Sequence, residues 1–100
     1  MSTNQMRPIH PGEILREEFI EPLHLDINSL ANALHIPVTD ISDLVTEQDA
    51  VDASMALRLA RYFSTTPQFW LNLQTVYDLK IAEREMGNKI NREISPLELE

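Results

Sequence analysis

Cysteine is absent from the sequence. Disulfides and thiolate zinc sites are thereby excluded, and a reducing compartment fits. Glycine occurs only at Gly12 and Gly87, so there is no glycine-rich loop to cradle a phosphate. No apolar run approaches the ~18 residues of a membrane span, and the N-terminus carries no apolar leader. The expectation is a soluble, cytoplasmic protein without a membrane contact. Basic residues are also scarce: 8 Lys and Arg stand against 16 Asp and Glu, for a net charge of -8. DNA binders usually gather cations on at least one face, because phosphate neutralisation supplies much of their affinity. An acidic balance also suits a basic protein partner, and composition alone favours that partner over nucleic acid.

The three histidines, His10, His24 and His35, have no metal-ligand spacing and read as surface or turn residues. No serine, histidine and acid arrangement is present. No catalytic residue, cofactor or metal is therefore expected, and an enzyme is set aside. What remains is a chain of 100 residues with 43% hydrophobic content, the size of one domain with an ordinary core.

Its apolar residues recur at helical spacing. After Pro11-Gly12, Ile14, Leu15, Phe19 and Ile20 form a first stripe that Pro22 ends. Asp26 is a good N-cap for a second helix with Ile27, Leu30, Ala31 and Leu34 on one face. Pro37 either breaks the chain or opens a third helix, in which Val38, Ile41, Leu44 and Val45 repeat the pattern. Asp52 caps a fourth, with Met55, Ala56, Leu59, Ala60 and Phe63 inward. Thr66 and Pro67 are the N-cap and first residue of a fifth, striped by Phe69, Trp70, Leu73, Val76, Tyr77 and Ile81. Gly87 is the expected terminator. The organisation expected is a flexible arm (1–8), a helical domain (9–87) and a short tail (88–100) that is strand, arm or disordered. Leu30, Leu34, Ile41, Leu44, Leu59, Phe63, Phe69 and Trp70 are the expected core.

The second and third helices hold a helix-turn-helix register from Ile27 to Thr46. Ala31 is small where the second helix of such a unit crosses close by. Leu30, Leu34, Ile36, Ile41 and Leu44 lock the two helices together. His35 lies in the turn, where φ is often positive and histidine is better tolerated than most residues. The fold class predicted is all-α, a five-helix, lambda-repressor-like domain with a helix-turn-helix.

The segments "IHPGEILREEFIEPLHL", "LANALHIP" and "ALRLARYFSTTPQFWLNLQ" resemble the HigA-type antitoxins, within the XRE or lambda-repressor-like group. The resemblance covers roughly Ile9 to Glu93. It implies a homodimer that represses its own operon through operator DNA and neutralises a basic, mRNA-cleaving toxin.

The chain departs from that family where DNA is read. Similar proteins usually carry a basic residue in the recognition helix and an Asn-Gly-Lys-Arg-like loop after it. Here Val38 to Ala50 holds four acids, Asp40, Asp43, Glu47 and Asp49, and no base. The candidate DNA contacts are Asn28, Val38, Thr39, Ser42, Asp43, Thr46 and Gln48, with Arg16 toward phosphate. Thr39 and Ser42 suit base edges, and Asp43 suits cytosine N4. Arg7, Arg58 and Arg61 are further phosphate candidates, although the excess of acids favours ion pairs for Arg58 and Arg61, and Arg16 has the same two readings. The charge pattern predicts weak operator binding at physiological salt. The alternative function is an acidic protein-binding module of helix-turn-helix ancestry. Glu13, Glu17, Glu18 and Glu21 form a face that is either solvated or turned to the toxin. Lys80, Arg84, Lys89 and Arg92 alternate with Glu83, Glu85 and Glu93, as on a solvated helix.

Overall fold

The computed structural model describes residues 7–98, so most of the expected N-terminal arm lies outside the described residues. The described chain is helical: α1 (Pro11–Ile14) continues directly into a π-helical segment (Leu15–Ile20), followed by α2 (Ile27–Leu34), α3 (Val38–Val45), α4 (Ala53–Phe63) and α5 (Pro67–Glu93). Among the described residues no helix is long and apolar enough to cross a membrane.

Helix starts follow the side chains that can accept an orphan N–H. Asp26 accepts from the Ser29 amide at 3.0 Å, Asp52 from Met55 at 2.9 Å and Thr66 from Phe69 at 3.1 Å. His10 does the same for α1: its Nδ1 accepts from the Gly12 amide at 2.9 Å. That corrects the surface reading of His10, which is buried and meets Tyr77 of α5 edge-on at 4.9 Å. Pro37 is the N-cap of α3, and Val38 is its first residue. Pro22 does not stop the first helix sharply. The backbone leaves it through i→i−5 hydrogen bonds, Glu21 to Arg16 at 2.9 Å and Leu25 to Ile20 at 3.0 Å.

The core is one cluster in which Leu15, Leu30, Ala31, Leu34, Ile41, Leu44, Leu59 and Trp70 are buried together. Six of the eight expected core residues are in it. Phe63 is half-buried and Phe69 is 38% exposed. Both sit at the rim because the cluster closes over Trp70, whose ring centroid lies 5.0 Å from Phe69 and 5.2 Å from Phe19. The Trp70 indole N–H donates to Thr65 Oγ1 at 2.8 Å, so the ring is buried with its polar atom satisfied.

Gly87 does not terminate α5. The helix runs through it to Glu93, and the chain from Ile94 to residue 98 has no regular structure. Nothing at Gly87 turns the backbone left-handed, since the described residues contain no glycine with positive φ.

Candidate nucleic-acid interface

The turn between α2 and α3 is built on His35, whose backbone is left-handed at φ 59° and ψ 46°. The His35 amide bonds the Asn32 carbonyl at 3.1 Å and the Ile36 amide bonds Ala31 at 3.1 Å, the paired closure of a Schellman motif. Half-buried Ile36 then turns the chain against the core, so α3 leaves at a fixed angle.

α3 buries Ile41, Leu44 and Val45 and exposes Val38, Thr39, Ser42, Asp43 and Thr46. These exposed positions fall at i, i+1, i+4, i+5 and i+8, one face of the helix. The structure therefore brings together five of the expected contact residues, with Gln48 exposed just beyond them. Asn28 is apart from them in sequence, exposed in the first turn of α2. The Thr46 hydroxyl donates to the Ser42 carbonyl at 2.8 Å, leaving its oxygen lone pairs to accept. The Gln48 amide donates to the Thr46 carbonyl at 3.2 Å.

α3 ends as α2 does. Glu47 is left-handed at φ 64°, its amide bonds Leu44 at 3.0 Å, and the Gln48 amide bonds Asp43 at 2.7 Å. A second Schellman closure thus stands directly after α3, and no glycine marks it in the sequence. Asp43, Glu47 and Asp49 are exposed here and Asp40 is half-buried.

The arginines divide between backbone carbonyls and carboxylates, and Arg16, which lies 3.4 Å from Glu17, takes both. The Arg16 guanidinium donates to the Val45 carbonyl, in the last turn of α3, and lies 3.9 Å from Glu47. Arg58 donates to the Leu34 carbonyl at 2.7 Å, to His35 at 3.4 Å and to no carboxylate among the described residues. The ion pair expected for Arg58 is thus replaced by backbone carbonyls, which the end of α2 leaves unpaired. Arg61 is exposed on α4. Arg7 pairs with Glu13 at 2.6 Å, and that contact holds the Glu13 carboxyl below its ordinary pKa.

Two further contacts brace this unit. Gly12 lies so close to α3 that a Cβ there would overlap the Leu44 carbonyl oxygen. Buried Gln74 of α5 accepts from the Val51 amide at 2.7 Å and donates to Asp78 at 2.9 Å, anchoring the segment between α3 and α4. Neither signal is periodic, so neither was visible in the sequence.

No family model matches the chain. The virulence-associated protein I of Dichelobacter nodosus is 52% identical over 82 residues, covering 82% of this chain and 76% of that protein. Antitoxin HigA-1 of Vibrio cholerae is 35% identical over 79 residues, covering 79% of this chain and 74% of that protein. Among solved structures, the Pseudomonas aeruginosa antitoxin HigA with the higBA promoter is similar at TM-score 0.89 and 48% identity, covering 92% of this chain and all of that one. Antitoxin GraA in complex with its operator is similar at TM-score 0.90 and 44% identity, covering 99% of this chain and 100% of that one.

Proposed function

Because the chain belongs to the HigA-type antitoxin family of helix-turn-helix regulators, we propose that it represses its own promoter and neutralises a toxin in the cytoplasm. The observation that carries the DNA half is the presentation of α3. Its apolar edge is locked into the core while Thr39, Ser42, Asp43 and Thr46 line the opposite face. A helix held this way reads base edges in the major groove with its exposed side chains. Val38 suits a thymine methyl, Gln48 extends the reading edge into the loop, and Asn28 faces phosphate from the start of α2. The toxin is a small basic protein that cleaves mRNA, as the family implies. The acidic balance of this chain supports that pairing.

The active form is a homodimer, because two half-sites one helical turn apart need two readers. α5 supports this: Val76, Leu79, Met86 and Ile90 expose an apolar stripe along it, continued by Ile94 and Leu97.

The test is a fluorescence-anisotropy titration of the upstream DNA at two salt concentrations, with and without the product of the neighbouring gene. Sequence-specific binding that the neighbour's product modulates is the expected result. Binding of that product with no operator preference would leave only the acidic protein-binding module.

A further inference from the structure

The two helices of the reading unit end alike. Each closes on a left-handed residue that is not glycine, His35 for α2 and Glu47 for α3. Each closure leaves carbonyls of the last turn without an amide partner. In both cases an arginine from another helix supplies the donor: Arg58 of α4 reaches Leu34 and His35, and Arg16 of the π-helical segment reaches Val45. Both guanidinium groups are partly buried. Each places positive charge at the negative end of a helix dipole. Gly12 sets the segment bearing Arg16 directly against the Leu44 carbonyl, which brings Arg16 within reach of the end of α3.

We propose that Arg16 and Arg58 are positioning residues, which fix the C-terminal ends of the two helix-turn-helix elements and so the angle at which α3 meets DNA. They are not phosphate contacts. Nη1 of each guanidinium is turned inward onto a main-chain oxygen, Arg58 Nε bonds the Ser54 hydroxyl at 3.3 Å, and Arg16 Nη2 faces Glu17 at 3.4 Å and Glu47 at 3.9 Å, where those carboxylates would repel a phosphate. Their geometry has a specific consequence. Losing a phosphate contact weakens all DNA alike and flattens the salt slope, whereas misplacing a reading helix erodes discrimination between bases. The proposal rests on the operator-binding reading above for its DNA readout, and on the free protein alone for its second.

The experiment compares wild type with Arg16→Gln and Arg58→Gln. Operator DNA and a single-base variant are titrated over a salt series. The expected result is an unchanged salt slope with operator-over-variant preference reduced roughly three- to tenfold, the net effect of about one lost hydrogen bond. In the DNA-free protein, amide hydrogen exchange at Thr46, Glu47 and Gln48 should quicken in Arg16→Gln, and at His35 and Ile36 in Arg58→Gln. A slope lowered by about one unit per chain, two for the dimer, with preference and exchange both as in wild type, would overturn the proposal. Should Arg16→Gln fail to fold, Arg58→Gln decides the matter: a flattened salt slope with unchanged preference and unchanged exchange at His35 and Ile36 would overturn the proposal. If wild type shows no operator preference, the functional reading fails, and the exchange measurement still judges the positioning role.

Discussion

At the scale of single residues, the scarcity of glycine has an energetic consequence. His24, His35, Glu47 and Ser64 all adopt positive φ, a conformation in which a Cβ crowds the following carbonyl. Glu47 is the most exposed to improvement. Glu47→Gly should stabilise the protein by about 0.5–1 kcal/mol, once the extra freedom of glycine in the unfolded chain is discounted. In a domain of this size that is a rise of a few degrees in thermal midpoint. A lowered midpoint would mean that the Glu47 carboxylate contributes more beside Arg16 than the backbone strain removes. His35 was legible in the sequence because its place in the helix-turn-helix register demands a positive φ. Glu47, His10 and Arg16 were not, because their placement depends on hydrogen bonds to backbone atoms, which leave no periodic trace. The Arg7–Glu13 pair makes a pH statement of the same local kind. The Arg7 hydrogen bond lowers the Glu13 pKa in the folded state. Its stabilising contribution is therefore full above the unfolded carboxylate pKa and lost as pH falls through the folded one. Arg7→Gln should move the Glu13 titration, followed by carboxyl NMR shifts, upward. An unmoved titration would place the cause elsewhere.

At the scale of elements, four of the five helix starts were legible in Asp26, Pro37, Asp52 and Thr66, because side-chain caps and proline act through sequence neighbours. The end of α5 was misread for the same reason. Gly87 satisfies the local rule for a helix terminator, but the rule needs a left-handed backbone that this position does not adopt. Its neighbourhood is open enough for a methyl group: an added Cβ would meet only the Glu83 Cβ, at 3.9 Å. Gly87→Ala should consequently stiffen α5 and stabilise the protein by roughly 0.5–1 kcal/mol, the usual penalty of glycine inside a helix. Thermal or denaturant unfolding measures it. A destabilised variant would show instead that another helix approaches α5 at Gly87 too closely for a side chain. The π-helical turns of Leu15–Ile20 had no counterpart in the stripe of apolar residues. A one-residue change in winding shifts the face by less than the width of the stripe.

At the scale of the whole molecule, shape and charge bear on function. The principal extents are 56 × 26 × 24 Å and the radius of gyration is 16.9 Å, against about 13 Å for a compact 100-residue domain. The excess comes from α5, whose 27 residues span about 40 Å. Only its N-terminal half is anchored by buried residues, Trp70 and Gln74. An isolated projecting helix with a half-apolar surface is marginal in water, so a second copy is the expected cover. Leu79→Glu with Met86→Glu should give a monomer by sedimentation while leaving the N-terminal helices folded. A dimer of unchanged mass would move the interface off this stripe. Dimer formation matters most for a reader as acidic as this one, because two weak half-site contacts combine into one usable affinity.

Charge sets how much affinity each half-site supplies. Asp43, Glu47 and Asp49 lie exposed on or beside the reading edge and outnumber the two nearest arginines, of which Arg16 also faces Glu17 and Glu47. Coulombic attraction to phosphate is thus largely missing where α3 would dock, and base-edge hydrogen bonds do not replace it. Operator affinity should be modest at physiological salt, with a shallow salt slope. Gln48→Lys with Asp49→Arg adds three units of positive charge per chain at exposed loop positions, without touching the buried edge of α3 or either carbonyl cap. The double variant should bind operator DNA more tightly, with a log–log salt slope steeper by about two to four units per dimer. Anisotropy titrations of both proteins at several salt concentrations measure the difference. Tight wild-type binding at physiological salt, with a slope already as steep as the variant's, would show that cations elsewhere carry the phosphate contacts; Arg61 on α4 would be the first to substitute. A variant that gains neither affinity nor slope would mean that the loop after α3 does not face the backbone of bound DNA.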